Sequence, residues 1–488
     1  MGPSDLASKA CHNCRRRRIR CDRAVPACQK CAKYGQECLG YGKLFVWNNG
    51  VASRGKMMGK TFPLPKAANE VIQRCVSGGD VIPVSLSDPL YQGLDDTSRR
   101  YLFHFATNLS GEMAICDITE TNPFRSLVPL CQGNPMLLHA INANAALHVS
   151  CLHRRDPTNS SQAMVDALSA KHKSLGLLQR ALEDIPNIDI DITIAVAHLF
   201  IIFELISPVG DEWRAHVHGA LQLINYLQTI DPSHSPVPSI RDTLTSDCLT
   251  YYVLGNTLTN TGLEPIPDPF LSNSDIIASL TRAEPNSYLS LPTPLLQLLF
   301  RACELSNLVS RRSTEPLVLL QQANTLLRAA EAFDAYAWAS HLQQNSSPSF
   351  CSSSPSPRTQ SRIHIALAHQ AAVKIYILRS VDTISPREPN TETLVTEIVA
   401  HLSLVSARDP VFMATCWPSF IAGAETRNPG YREWAVQRLR RFWELMPWGY
   451  VKTAEEVMRT TWELRDRGDM RGSWIQQVKG LERCWLIA

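Results

Sequence analysis

Six cysteines stand between residues 11 and 38 in the stretch CHNCRRRRIRCDRAVPACQKCAKYGQEC, and their spacing constrains this part of the chain more than any other feature. The pattern Cys-x2-Cys-x6-Cys-x6-Cys-x2-Cys-x6-Cys maps onto itself after 17 residues, so that Cys11, Cys14 and Cys21 step onto Cys28, Cys31 and Cys38. Three other uses of thiols compete with a shared metal cluster. A disulfide framework belongs to oxidising compartments. The opening MGPSDLASKA has no apolar run of a secretory signal, however, and the nine further cysteines are scattered and odd in number. Reduced thiols in the cytosol or nucleus are therefore expected. A redox Cys-x2-Cys sits in a βαβ pattern, and no strand pattern flanks Cys11. A single tetrahedral zinc takes four thiolates and leaves Cys21 and Cys38, the residues that complete the repeat, without a role.

Two zinc ions need eight ligand positions between them, and six thiolates fill these if two of the sulfurs bridge both metals. Every cysteine of the repeat is then used. The segment has few large apolar residues beyond Ile19, Val25 and Tyr34, too little area to fold unaided. Metal binding supplies about 10 kcal/mol or more of folding free energy, so the metal is structural. In each half the cysteines at i and i+3 span one turn of helix, which places Arg15, Arg16, Arg17 and Arg18 directly after a short helix, fanned at about 100° intervals.

Residues 1–43 hold ten Lys/Arg against three acids, a surplus of +7, while the whole chain carries only +3, leaving −4 on the other 445 residues. With six thiolates and two Zn2+ counted, the module keeps about +5. A basic arm on a mildly acidic body is the electrostatic pattern of nucleic-acid binding. The run RRRRIR also suits nuclear import, and one basic run serves both uses.

The segment resembles the fungal Zn2Cys6 binuclear cluster, a DNA-binding module, with all six ligand positions at that family's spacing and Pro26 matching its loop proline. The resemblance implies that the first and fourth cysteines, Cys11 and Cys28, bridge the metals. It also implies that the end of the first helix enters the major groove and reads a CGG-type triplet through the two basic residues at positions 17 and 18. Many members have lysine at one or both, and here they are Arg17 and Arg18. Arginine still pairs with guanine O6 and N7 in bidentate fashion. Arg15, Arg16, Arg20, Lys30 and Lys33 are then expected on phosphates, which fix position without reading sequence.

From residue 44 to 87 the chain loses periodicity, with Gly50, Gly55, Gly59, Gly78 and Gly79 among Pro63, Pro65 and Pro83, the composition of a flexible linker. No sustained heptads run through it, so a dimer by a coiled coil is not supported. The stretch YGKLFVWNNGVASRGKMMGK is a plain tether, or packs on the next domain, or tracks DNA. It resembles the linker of fungal regulators of the acriflavine sensitivity control type.

From 88 to 488 apolar residues recur at helical spacing in segment after segment, including IDITIAVAHLFIIFELI and DEWRAHVHGALQLINYL, with Trp434, Trp443, Trp462, Trp474 and Trp485 toward the end. Ile475, Val478, Leu481 and Trp485 mark one face of the last helix. No alternating strand pattern appears, so the fold class is mainly α: a small binuclear zinc module (1–43) and a large all-α domain (88–488) of one or two lobes. The order of EWRAHVHGALQLI and the Trp-rich tail resembles the fungal-specific transcription factor domain. Residues 343–360 centre on SSPSFCSSSPSP, too polar to pack a core and expected as a disordered loop. There Ser347, Ser354 and Ser356 precede proline, offering proline-directed phosphorylation or marking a tolerated insertion. The most apolar run contains His198 and Glu204 and falls short of the ~20 residues that cross a membrane.

No HExxH, Walker loop, GxSxG or GxGxxG is present. His216 and His218 lie two apart, about 200° around a helix, and cannot share a metal by that spacing. Asp189 and Asp191 suit helix capping and the helix dipole. The nine remaining cysteines read as small buried apolar groups. The expected function is that of a nuclear, sequence-specific regulator of RNA polymerase II transcription. It would hold two Zn2+, bind double-stranded DNA, dock on the transcription machinery or co-regulators, and contact no membrane. The expected targets are a metabolic, secondary-metabolite or drug-resistance gene set. The alternative is an α-helical ligand sensor or enzyme with DNA binding as a secondary feature.

Overall fold

The computed structural model describes residues 9–11, 14–15, 17, 19–24, 28–34, 38, 93–115, 122–154, 156–207, 212–228, 238–259, 273–312, 314–346, 357–385, 390–468, 472–481 and 483–488. Contacts divide the chain into two compact units, Met1–Ser87 and Asp88–Ala488. Among the described residues no strand forms, and β pairing is limited to isolated bridges such as Ala114 with Ser287.

The larger unit is built around the helix Ile190–Ile206, in which every residue but Ile190 and Glu204 is buried. A helix apolar on all sides must be central. Pro135–Leu152, Trp213–Leu227 and Pro238–Thr257 pack around it. Pro357–Ser380 is the second centre, against Thr293–Arg311, Glu392–Ser403 and Cys416–Glu425. Thr293–Arg311 also touches Pro238–Thr257, and one continuous apolar cluster runs from Tyr101 to Ala488. The body thus has a single core rather than two lobes. Among the described residues no helix is long and apolar enough to cross a membrane.

Local chemistry explains where the helices start. Asp189 accepts from Ile192 N at 3.1 Å as the N-cap of the central helix. Asp95, Asp156, Asn273, Asn428 and Ser473 cap others in the same way. Proline opens several helices, where its missing N–H is no loss. Asp191 lies in the first turn, where the helix dipole favours it, and also forms a two-pronged ion pair with Arg241, at 2.7 and 2.8 Å.

The tryptophans serve the core. Trp417, Trp448 and Trp474 are among the largest fully buried side chains, and Trp434, Trp443, Trp462 and Trp485 pack on the same cluster. Trp213, from EWRAHVHGALQLI, lies against Gly255, where any Cβ would strike its indole ring. Its Nε1 donates to Cys484 O at 3.2 Å, tying the C-terminal tail to the middle of the body.

Two expectations about extent are corrected. The last helix is only Trp474–Gly480; Leu481 is already extended, with ψ 118°, so Leu481 and Trp485 do not continue a helical face. Gly480 is the last residue of the helix, and the tail beyond it still buries Leu486, Ile487 and Ala488. Both ends of the loop expected over 343–360 are helical instead, because Ala335–Ser346 and Pro357–Ser380 are helices. Its centre, 347–356, lies outside the described residues, as does the linker expected over 44–87.

Candidate metal centre and nucleic-acid interface

In the smaller unit the sequence repeat becomes a spatial one. The Sγ atoms of Cys11, Cys14, Cys21 and Cys28 form one tetrad, and those of Cys11, Cys28, Cys31 and Cys38 a second, each within 4.8 Å. Cys11 and Cys28 belong to both. Their sulfurs stand 3.5 Å apart, and Cys11–Cys31 and Cys14–Cys28 are 3.8 and 3.7 Å. Thiolates around a tetrahedral zinc with bonds of about 2.3 Å are about 3.8 Å apart, so the donor set fits two metals that share two sulfurs.

Main-chain N–H groups repeat with the same step. Cys11 N donates to Cys21 Sγ and Cys28 N to Cys38 Sγ, both at 3.4 Å. Cys14 N donates to Cys11 Sγ and Cys31 N to Cys28 Sγ, at 3.4 and 3.3 Å. The two halves are therefore related by an internal two-fold. Burial pushes the thiols of Cys11, Cys14, Cys28 and Cys31 up. For Cys21 burial acts the same way, but N–H donors from Cys11 and Arg23 outweigh it and bring the thiol down to about 7. A compact set of thiolates needs a cation, and among the described residues the core of this unit is sulfur itself: beside the four buried cysteines only Ile19, Cys21 and Cys38 pack.

The second half starts its helix, Gln29–Lys33, under two caps: Cys28 Sγ accepts from Cys31 N, and Asp22 accepts from Gln29 N at 2.9 Å. Bonding to that N–H holds the Asp22 carboxyl below its ordinary range. Arg15, Arg17, Arg20, Lys30 and Lys33 are exposed around this sulfur centre. Arg16, Arg18 and Pro26 lie outside the described residues. One contact escaped the sequence reading: the Arg17 guanidinium lies over the Tyr34 ring, 4.7 Å from its centroid.

The larger unit also brings ligand-type side chains together. Glu204, Glu212 and His216 approach within 4.8 Å, but the Lys171 ammonium sits among them, 2.6 Å from Glu204 and 2.9 Å from Glu212. A lysine supplies the positive charge that a metal would bring. Burial raises the Glu204 carboxyl, while Lys171 lowers that of Glu212. His216 packs on Phe200 and His218 meets Gln222, in keeping with their separation around the helix. His198 is fully buried, 3.2 Å from Asp247 and stacked on Phe124. Of the later cysteines, Cys131, Cys248, Cys303 and Cys416 are buried, and Cys151 and Cys484 partly so. A polar cavity of about 410 Å³ is lined by Arg379, Glu392, Glu425, Arg427, Arg465 and Trp474.

Comparison with known proteins covers both units. Residues 9–45 match the Fungal Zn(2)-Cys(6) binuclear cluster domain, a module that binds two zinc ions, and residues 100–487 match the Fungal specific transcription factor domain. The acriflavine sensitivity control protein acr-2 of Neurospora crassa is 28% identical over 98% of this chain and 97% of its own length. The phomenoic acid biosynthesis cluster-specific transcriptional regulator of Leptosphaeria maculans is 21% identical over 93% of this chain and 85% of its own. The depudecin biosynthesis cluster-specific transcription activator of Fusarium langsethiae is 47% identical over 38 residues, 8% of this chain and 6% of its own. No solved structure matches. With the sulfur tetrads, the basic module and a family match over most of its length, the chain belongs to the fungal Zn2Cys6 transcription regulators that carry a fungal-specific transcription factor domain.

Proposed function

We propose that the chain acts in the nucleus, where Cys11, Cys14, Cys21, Cys28, Cys31 and Cys38 hold two zinc ions and the surrounding basic residues dock the module on double-stranded DNA at CGG-type triplets. Arg17 and Arg18 read base edges; Arg15, Arg16, Arg20, Lys30 and Lys33 contact phosphates. The observation that carries this reading is the pair of sulfur tetrads sharing Cys11 and Cys28 under an exposed set of cations. The helical body serves regulation rather than catalysis, docking co-regulators of RNA polymerase II. The family match over residues 100–487 supports this. The names of the relatives, two tied to biosynthesis clusters and one to acriflavine sensitivity, point to a secondary-metabolite or drug-resistance gene set as the target.

The division between reading and positioning is testable in the full chain. Arg18→Ala is expected to cost about 1–3 kcal/mol on a CGG-bearing duplex and to relax preference at one base pair. Lys33→Ala is expected to weaken binding to all sequences alike and to make the plot of log K against log salt about 0.9 units shallower. Titrations on matched and scrambled duplexes at several salt concentrations measure both. Two variants that behave alike would contradict the division.

A further inference from the structure

The internal two-fold of the module carries one more consequence. The step of 17 residues that takes Cys11 to Cys28 and Cys14 to Cys31 takes residue 17 to residue 34. Related positions that meet each other must do so at the two-fold axis, and Arg17 and Tyr34 do meet, with the guanidinium 4.7 Å from the ring centroid. The sequence breaks the symmetry there: one half supplies a cation and the other an aromatic face. Tyr34 is 59% exposed, although it closes the helix Gln29–Lys33, with its N–H donating to Lys30 O and Cys31 O. Its backbone is thus fixed by the second half of the module while its ring stands at the surface beneath the arginine of the first half.

We propose that Tyr34 is a positioning residue for DNA recognition: its exposed ring holds the Arg17 guanidinium at the axis between the two halves, oriented before DNA arrives. The proposal rests on the reading of Arg17 as a base contact. Three physical points support it. An arginine is a long side chain whose many rotamers must be reduced to one when it grips a base in bidentate fashion, and a ring that already limits those rotamers lessens the ordering left for binding. Stacking uses the flat face of the guanidinium and leaves its N–H groups, which lie in the plane, directed past the ring edge. A tyrosine face, unlike a carboxylate, orients the cation without adding a negative charge of its own. The arrangement also makes the module directional, since only the first half presents a guanidinium at the axis.

The test uses the full-length, zinc-loaded protein with Tyr34→Ala, Tyr34→Phe, Arg17→Ala and the double variant Arg17→Ala/Tyr34→Ala, titrated on a CGG-bearing duplex and on one with the triplet scrambled. Zinc content is measured for each. Tyr34→Ala is expected to weaken binding to the CGG duplex about two- to five-fold, the range of an exposed cation–π contact, with scrambled binding and zinc content unchanged. Tyr34→Phe is expected to bind as the parent does, because the ring face is kept. In the Arg17→Ala background the Tyr34→Ala change is expected to have no further effect. A Tyr34→Ala loss that persists in that background, falls equally on the scrambled duplex, or comes with loss of zinc would overturn the positioning role while leaving Arg17 as a reader. An Arg17→Ala variant with unaltered preference for CGG would instead overturn the reading of Arg17 itself, and the positioning role with it.

Discussion

Cys21→Ala is expected to strip the N-terminal module of its shared-metal architecture, lowering zinc from two ions per chain to one or none and abolishing specific DNA binding. The reason lies in what holds the module together. Its buried core is four cysteines, with Ile19, Cys21 and Cys38 packed beside them. Among the described residues almost no other apolar burial stands in reserve, and metal binding provides about 10 kcal/mol or more of folding free energy in domains of this kind. Cys21 belongs to one tetrad only, and its sulfur also accepts N–H groups from Cys11 and Arg23, each at 3.4 Å. Its removal opens one metal position and releases two main-chain donors. Because Cys11 and Cys28 serve both tetrads, the second site loses the partner charge that holds its shared sulfurs. Elemental analysis and far-UV spectra of purified protein check this. Two zinc ions retained in the variant would contradict it; one zinc in parent and variant alike, with fold and DNA binding kept, would replace the shared cluster by a one-zinc site on the two Cys-x2-Cys pairs.

Glu425→Ala is expected to destabilise the helical body by about 3–5 kcal/mol, the cost of removing one partner from a buried ion pair. Glu425 is 3% exposed at the end of the helix Cys416–Glu425. Its carboxylate accepts from Arg379 Nε at 3.0 Å, from Thr391 Oγ1 at 2.6 Å and from Trp474 Nε1 at 2.8 Å. Three elements far apart in sequence therefore meet on one anion. Without it, Arg379 keeps, among the described residues, only Asp382, 3.0 Å away, as a charged partner, and the buried Trp474 N–H loses its acceptor. Glu425→Gln keeps an acceptor but not the charge and is expected to fall between parent and alanine. Denaturant titration of the three proteins measures the order. A loss below about 1 kcal/mol for Glu425→Ala would show that the hub is replaceable by water.

These two sites differ in how legible they were. The metal centre could be read from spacing, because a repeat of 17 residues in which every ligand recurs is a local, one-dimensional signal, and the sulfur tetrads follow it atom by atom. Helical content was equally open to view: the run around His198 is apolar on all sides of the helix, with Asp191, Thr193, His198 and Glu204 as its few polar positions, and became the centre of the core. The cap at Asp189 is local and was visible; the pairing of Asp191 with Arg241, 50 positions away, was not. Glu425 gave no sign of its role for the same reason, since Arg379, Thr391 and Trp474 reach it only through the packing of separate helices. Lys171 between Glu204 and Glu212 is another pairing set wholly by tertiary structure.

The Arg17–Tyr34 contact is a different case. Its signal was present, because the step that relates the cysteines relates these two residues as well, but a sequence step becomes a contact only where a two-fold axis brings equivalent positions together. The last helix shows the opposite error: an apolar period ran on past Gly480, yet the helix stops there, Leu481 is already extended, and Trp485 packs on the core from the tail beyond it. Periodicity shows which residues are buried more surely than which backbone carries them there.

Recognition of a defined DNA sequence by this protein is expected to depend on zinc. Selection of binding sites from a pool of random duplexes by the full-length protein, carried out with zinc and again after chelation, tests this most directly. The expected result is enrichment of CGG-type triplets with zinc and none after chelation. Retention of DNA without any sequence enrichment, or the same enrichment with the metal removed, would contradict it.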